Sequence, residues 1–277
     1  MSYSTHNLIS TPNEVPSYYK RLSICLNPNG FSFSRMTMQG TLLTFGETTI
    51  DLGLPMSKLT AELKDFFAEQ HISPFDFEEM TLVVDADHSL WIPKDLYEPE
   101  HERDYMTPFF TLPAGIGCDA VLNKAVGAYC VFAAKTSVVT AFRIALPGIE
   151  VTCQQSLLAN QQILQLSQQR PVILLHQREA QGDFVICNQG KLLLSNNYAI
   201  RNNEERLYRT LELMKTLQVE SSDLLLLLCG DVNRDTYASM RGFFPHIELY
   251  SGDKIRFINP EFKQMATYKH VLSLIRQ

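Results

Sequence analysis

The chain has 277 residues, 24 basic and 30 acidic side chains for a net charge of −6, with 45% hydrophobic and 19% charged residues. This composition belongs to a folded globular chain and excludes the low-hydrophobicity, high-charge signature of disorder, while 13 Gly and 13 Pro exclude collagen-like or proline-rich repeats. An acidic balance with no offsetting basic run argues against nucleic acid as a partner. The longest apolar stretch of note, Leu224–Cys229, falls far short of the roughly 20 residues that a spanning helix needs, so no transmembrane segment is expected. Met1–His6 has no basic stretch leading into an apolar block, and the expected location is cytoplasmic. Cys25, Cys118, Cys130, Cys153, Cys187 and Cys229 are scattered, without a C-x-x-C pair or zinc-finger spacing. Four of them sit in apolar strand-like runs, the habit of buried reduced thiols.

Residues 1–18, polar and carrying Pro12 and Pro16, read as a flexible arm. Leu22–Leu26 is a strand that ends in the turn residues Asn27–Gly30. Phe31–Ser34 alternates apolar and polar side chains, and Thr41–Phe45 completes a three-strand meander. Pro55 opens a helix with Leu59, Leu63, Phe66 and Phe67 at helical spacing, and Thr81–Val84 follows as a buried strand. Asp85, Asp87 and His88 then form the most metal-like cluster in the chain, with the two carboxylates on one side if the strand continues; a polar turn is the simpler reading, and no metal ligand is assigned. His101–Asp104 reads as a hydrated loop. Gly115–Ala120 matches G-x-G-x-x-A, but Pro113 precedes it and position 137 is a serine where an acid is needed, so a loop is expected there. Strands at Ala128–Phe132 and Ile149–Cys153, a helix over Thr136–Leu146 and an amphipathic stretch over Leu157–Leu166 complete the first half.

The same order returns. Pro171–Leu175, Asp183–Cys187 and Lys191–Leu194 read as strands. A helix starting near Asn203 carries Leu207, Leu211, Met214 and Leu217 on one face, and Leu224–Leu228 is a wholly apolar strand. A short helix over Thr236–Phe243 and a strand at Ile247–Tyr250 follow. In the last segment, from Pro260, residues Phe262, Met265, Leu272 and Ile275 fall near one helical face. The fold class is α/β, two units of β-β-β-α-β order with mixed sheets flanked by helices. The expected division is the arm at 1–18, a first lobe at 19–168, a second lobe at 169–258, and a C-terminal helix at 259–277 packing back on the first lobe.

A meander followed by a helix and a parallel strand, present twice, resembles the ribonuclease-H-like unit of the actin-like ATPase fold. Leu22–Phe33 and Asp223–Asp231 make the chain look like a member of a bacterial domain family of unknown function with that fold, distantly similar to pilus-assembly and secretion-system proteins. The resemblance implies an internal duplication and an interlobe cleft in which two hairpins, each with an Asp and a Gly, would hold ATP and magnesium. Here the first turn reads Asn27–Gly30, with two amides and a proline. The second runs from His176 to Asp183, with His176 at the position of the implied Asp. An adenosine-cupping Gly-Gly turn survives only as Gly230. The residues expected to line the cleft are Asn29, Gly30, His176, Gly182 and Gly230, with no catalytic residue, metal ligand or cofactor assigned. The expected function is a non-catalytic scaffold or adaptor with a protein partner and a degenerate nucleotide site. The alternative is an ATP-binding or ATP-hydrolysing protein whose magnesium site is rewired through Glu179, Asp183 or Asp231, with Arg178 meeting a phosphate. The simpler reading of Glu179, Asp183 and Arg178 is that they are solvated residues of a long hairpin.

Overall fold

A computed structural model describes residues 3–10, 21–220, 223–252, 255–257 and 259–275. In chain order the first half forms β1 (Ser4–Ser10), β2 (Arg21–Asn27), β3 (Gly30–Met36), β4 (Thr41–Thr49), α1 (Met56–Glu69), β5 (Glu79–Val84), β6 (Ser89–Pro93), α2 (Glu102–Met106), β7 (Ile116–Asn123), β8 (Ala128–Lys135), α3 (Thr136–Ala145), β9 (Glu150–Cys153), α4 (Gln154–Leu158) and α5 (Gln161–Leu166). The second half forms β10 (Val172–Gln177), β11 (Gln181–Asn188), β12 (Lys191–Ala199), α6 (Asn203–Thr216), β13 (Leu225–Gly230), α7 (Arg234–Arg241), β14 (His246–Leu249), β15 (Arg256–Phe257) and α8 (Val271–Leu274).

Two mixed sheets carry the architecture, a two-lobed α/β arrangement. The first has the order β1-β4-β3-β2-β5-β9 and the second β12-β11-β10-β13-β14. In both, the first three strands of the unit are antiparallel and the next two run parallel to its first strand. Beyond this shared order the first sheet gains β1 and the two-residue β15, both on β4. A separate three-stranded sheet, β6-β8-β7, stands beside it.

Alternation explains what each face buries. Leu22, Ile24, Phe31 and Phe33 point to α1 and α3, where Phe66 meets Phe31 edge-on at 5.2 Å, Phe33 at 5.5 Å and Phe67 at 5.4 Å between ring centres. The intervening serines turn to the opposite face, where α8 covers them: Ser32 Oγ lies 2.7 Å from Ser273 Oγ, and Ser34 donates to the Ser273 carbonyl. In the second sheet both faces are apolar. Ile173, Leu175, Leu224, Leu226 and Leu228 share a core with Leu213, Met214 and Met240, whereas Val172, Leu174, Leu225 and Leu227 face Leu157, Leu158, Ile163, Val271 and Ile275. A strand covered on both sides reads as a continuous apolar run, the form that Leu224–Leu228 takes.

Several expectations need correcting. Residues 4–10, expected within the flexible arm, form β1 by pairing with β4, and Tyr3 packs edge-on against Phe66; residues 1–2 and 11–18 of that arm lie outside the described residues. Gly115–Ala120 is no loop: after the positive-φ turn at Gly115 it runs into β7, which gains its ladder from β8. Ala128–Phe132 belongs to that small sheet and not to a large one. Residues 102–104, expected in a hydrated loop, belong to α2, whose last residue, Met106, is buried. The stretch 157–166 is two helices, because Asn160 caps α5 by accepting from the Ile163 N–H at 3.1 Å while its amide donates to the Leu157 carbonyl. On α6 the buried positions are Arg206, Thr210, Leu213 and Met214, with Leu211 exposed. Leu207, Met214 and Leu217 of the expected face do pack on the core, and Arg206, which donates from Nε to Gln177 Oε1 at 2.8 Å, is buried beside them. The C-terminal segment is two short 3-10 turns and a single helical turn; Pro260 opens the first of these, with the Asn259 side chain accepting from the Glu261 N–H at 2.9 Å.

Because Phe66 contacts three other phenylalanines on an element joining helix to sheet, Phe66→Ala should lower the stability of the chain by about 3–5 kcal/mol, read as a fall in the urea midpoint with unchanged slope. A loss below about 1 kcal/mol would show that this aromatic cluster does not hold the first lobe together.

Candidate functional site

The second-lobe hairpin is built around a carboxylate that has no contact with solvent. Asp183, on β11, sits opposite His176 on β10 in the ladder register and is 0% exposed. Its Oδ2 lies 2.9 Å from His176 Nδ1, and its Oδ1 accepts from Arg178 Nη2 at 2.9 Å and from Gln155 Nε2 at 3.4 Å. A buried carboxylate needs such partners, since desolvation of an unpaired charge costs several kcal/mol. Arg178 folds back from the hairpin turn to meet it and also donates from Nη2 to Gln181 Oε1 at 2.6 Å.

The same guanidinium reaches the first lobe. Arg178 Nη1 donates to Asp85 Oδ1, just beyond β5, and stands 4.0 Å from Asp87 Oδ1. Gln181 Nε2 donates to Asp87 Oδ1 at 3.2 Å, and Asn197 Nδ2 on β12 donates to the Asp87 carbonyl at 2.7 Å. From α4, Gln154 holds the Ala86 peptide at both ends, accepting from its N–H and donating to its carbonyl at 2.8 Å each, and also donates to Asp85 Oδ1 at 3.2 Å. Burial raises the Asp85 carboxyl above its ordinary value; Arg178 pulls it back, while the Asp183 and Asp87 carboxylates push it further up. The result is a polar bridge between the lobes with one guanidinium shared by three carboxylates.

The structure brings His176, Gly182 and Gly230 together. Gln177 pairs with Gly182 on one side and Gly230 on the other. Gly230 adopts a φ of +79°, and a Cβ there would stand 2.2 Å from the Gln177 carbonyl oxygen and 2.9 Å from the His176 ring, so only glycine fits. Asn29 and Gly30 are engaged within their own sheet: the Asn29 carbonyl accepts from Ile50 N–H at 3.0 Å, its N–H donates to Asn27 Oδ1 at 3.0 Å, and Gly30 lies against the Thr48 carbonyl. Among the described residues no hydrogen bond or ion pair links that turn to the second-lobe hairpin. Arg178 and Asp183, read from sequence as solvated, are drawn into the bridge; Glu179 is exposed. His88 leaves the Asp85–Asp87 cluster to stack on Phe110 at 4.5 Å, and among the described residues no group of three His, Cys, Asp or Glu side chains could hold a metal ion. Gln154 and Gln155 were not singled out by the sequence reading. Their signal is weak: two amides, buried at 0% and 1% exposure, directly after a strand.

Comparison with known proteins places this geometry. The chain belongs to the family of proteins of unknown function DUF3822, whose profile matches residues 11–247. A solved protein of Bacteroides thetaiotaomicron, described as having an actin-like ATPase fold and unknown function, is similar with a TM-score of 0.70 at 21% identity, over 84% of this chain and 91% of that one. The PilM-PilN type IV pilus biogenesis complex is similar with a TM-score of 0.57 at 13% identity, over 93% of this chain and 97% of that one. The fold is therefore the two-lobed actin-like ATPase fold. Comparison with curated proteins finds no match. No helix among the described residues is long and apolar enough to cross a membrane.

Two outcomes follow from the bridge. Arg178→Gln leaves Asp183 buried without its guanidinium and should cost about 3–5 kcal/mol in urea unfolding, with part of the loss recovered in the Arg178→Gln, Asp183→Asn double variant; equal losses in single and double variants would contradict the charge argument. For Asp85, whose native value is raised, the contribution to stability is fullest below its unfolded value of about 4 and declines as the pH climbs through the native one. The melting-temperature difference between wild type and Asp85→Asn should thus move in favour of the variant between about pH 4 and pH 7, and a difference that moves the other way would refute the assignment.

Proposed function

We propose that this protein is a non-catalytic scaffold or adaptor that binds a protein partner, with the nucleotide machinery of its fold class turned to internal use. The observation that supports this reading is the Arg178 bridge, which ties Asp183 of one lobe to Asp85 of the other. A magnesium-bound triphosphate needs free carboxylates for the hydrated metal and free backbone N–H groups for phosphate oxygens. The donor set here does not suit it. The buried Asp183 and the more exposed Asp85 are both paired with one guanidinium, His176 faces Asp183 across the ladder, the Asn29 N–H is satisfied by Asn27, and the close approach that Gly30 permits is used by the Thr48 carbonyl. Asp231 is exposed, and its N–H donates to the Gln177 carbonyl at 2.8 Å.

The partner-binding half of the reading draws on the solved complex of PilM with PilN, a neighbour in fold in which two proteins associate. A cytoplasmic setting accords with six cysteines that are all free thiols, four of them buried, with burial pushing the Cys187 thiol up to about 12.

Titration with magnesium and ATP at millimolar concentration, followed by thermal unfolding, tests the proposal. No stabilisation is expected. A gain of about 2.7 kcal/mol, the value for ligand at 100 times its Kd, would instead establish a working nucleotide site, and its loss in Gly230→Val would place that site at the hairpin.

A further inference from the structure

Two of the six thiols meet. Cys130 Sγ lies 3.4 Å from Cys153 Sγ, both residues are 0% exposed, and among the described residues no other pair of cysteines is within hydrogen-bonding reach. Their strands belong to different sheets: Cys130 is on β8, the central strand of the small sheet, and Cys153 ends β9, the last strand of the first large sheet. Alternation brings the sulfurs together. Cys130 and Phe132 turn to the first-lobe core while Val131 and Ala133 turn to Met106 of α2, and Val151 and Cys153 enter that same first-lobe core from β9. No ladder joins β8 to β9, so the contact spans a seam between the sheets.

A disulfide holds its sulfurs at about 2.05 Å, which leaves these two atoms about 1.4 Å to close. The seam also has an opening. Val121, the ladder partner of Cys130, and Val151, two residues before Cys153 on the same face, both line a cavity of about 640 Å³ that reaches the surface at the exposed Lys124 and Glu150. A molecule the size of hydrogen peroxide can therefore come within one side chain of the pair. Burial works against a fast reaction: together with the Cys153 contact it holds the Cys130 thiol well above its ordinary value, so thiolate is scarce at neutral pH.

We propose that Cys130 and Cys153 form a redox modification site, in which a hydroperoxide converts the pair into a reversible disulfide that fastens the small sheet to the first large one. One sulfur, as thiolate, attacks the peroxide; the O–O bond breaks, one oxygen leaves as water once protonated, and the sulfur becomes a sulfenic acid. The second sulfur attacks it, the S–S bond forms as the S–O bond breaks, and the remaining oxygen leaves as water with the proton of the second thiol. Two thiols are oxidised by two electrons and one peroxide is reduced to two waters. Exchange with an external thiol restores the pair. Because Cys153 directly precedes Gln154 and Gln155, the bond also anchors the start of α4, from which those amides reach Ala86 and Asp183. The site stands apart from the partner-binding reading and does not depend on it.

The full chain, treated with hydrogen peroxide without denaturant, alkylated with N-ethylmaleimide in urea and digested with trypsin under non-reducing conditions, tests this. Cleavage isolates each thiol, in peptides 125–135 and 144–178. The expected product is these two peptides joined, lighter than their sum by two hydrogens and parted by dithiothreitol. The oxidised chain should also unfold at a higher urea concentration than the reduced one, since the link closes the 130–153 loop in the unfolded state, and peroxide-treated Cys153→Ala should show no such rise. Recovery of Cys130 and Cys153 fully alkylated, at a peroxide dose that oxidises the half-buried Cys118, would overturn the site. A link that forms only in urea, or that joins Cys130 to a different cysteine, would overturn it too, and a lowered urea midpoint in the linked chain would show that the native seam does not accommodate the bond.

Discussion

A carboxylate with no access to water sets the terms for the centre of this molecule. Asp183 is on an inner strand of the second sheet, and its charge can exist there only because His176, Gln155 and Arg178 approach it. Of these, Arg178 has a reach that exceeds the hairpin. Its second nitrogen is left over once Asp183 is satisfied, and a guanidinium that is largely shielded from water needs an acceptor there too. Asp85 provides it from the other lobe. The demand of one buried acid thus becomes a constraint on how the two lobes sit against each other, and Gln154, Gln181 and Asn197 follow it by gripping the backbone and side chains around Asp85 and Asp87.

The apolar framework makes that precision possible. The second sheet is covered on both faces, by α6 and α7 on one side and by α4, α5 and α8 on the other, so its inner strands have little freedom to shift. Val83 at the end of β5 packs into the latter core beside Leu174 and Cys229, so the segment that carries Asp85 is anchored to the sheet that carries Asp183. The C-terminal segment adds a second tie: Arg21 of β2 donates to the carbonyls of Leu274 and Ile275, while Ile275 packs with the second sheet. Apolar contact brings the lobes together, and the polar network selects one arrangement of them.

How much of this was legible depended on whether a signal was local. The meander, α1 and the all-leucine strand announce themselves, since Phe31 and Phe33 alternate with serines, Leu59, Leu63 and Phe66 recur at helical spacing, and residues 224–228 are apolar without a break. The closeness of His176, Gly182 and Gly230 was legible too, because they lie at ends of strands that pair in the second sheet. What escaped was decided between distant segments. β7 looks like a loop until β8 pairs with it. The serine face of β2 and β3 looks solvent-facing until Ser273, some 240 residues on, covers it. Arg178 and Asp183 look like hydrated hairpin residues because nothing near them in sequence shows Asp85 or Gln155 arriving from the other lobe. On α6 the leucine pattern pointed to Leu207, Met214 and Leu217, which pack on the core, but not to Arg206, which is buried because it holds a glutamine on β10.

The position of the network bears on whether a ligand can enter between the lobes. Asp85 follows β5, Gln154 and Gln155 follow β9, and Gly230 ends β13; all three strands run parallel to a neighbour, and sheets of that kind ordinarily receive ligands beyond the carboxyl ends of such strands. Here those ends are filled by the protein's own side chains, with each carboxylate answered by a cation or an amide. A ligand entering there would have to displace a guanidinium from two carboxylates and then satisfy both of them.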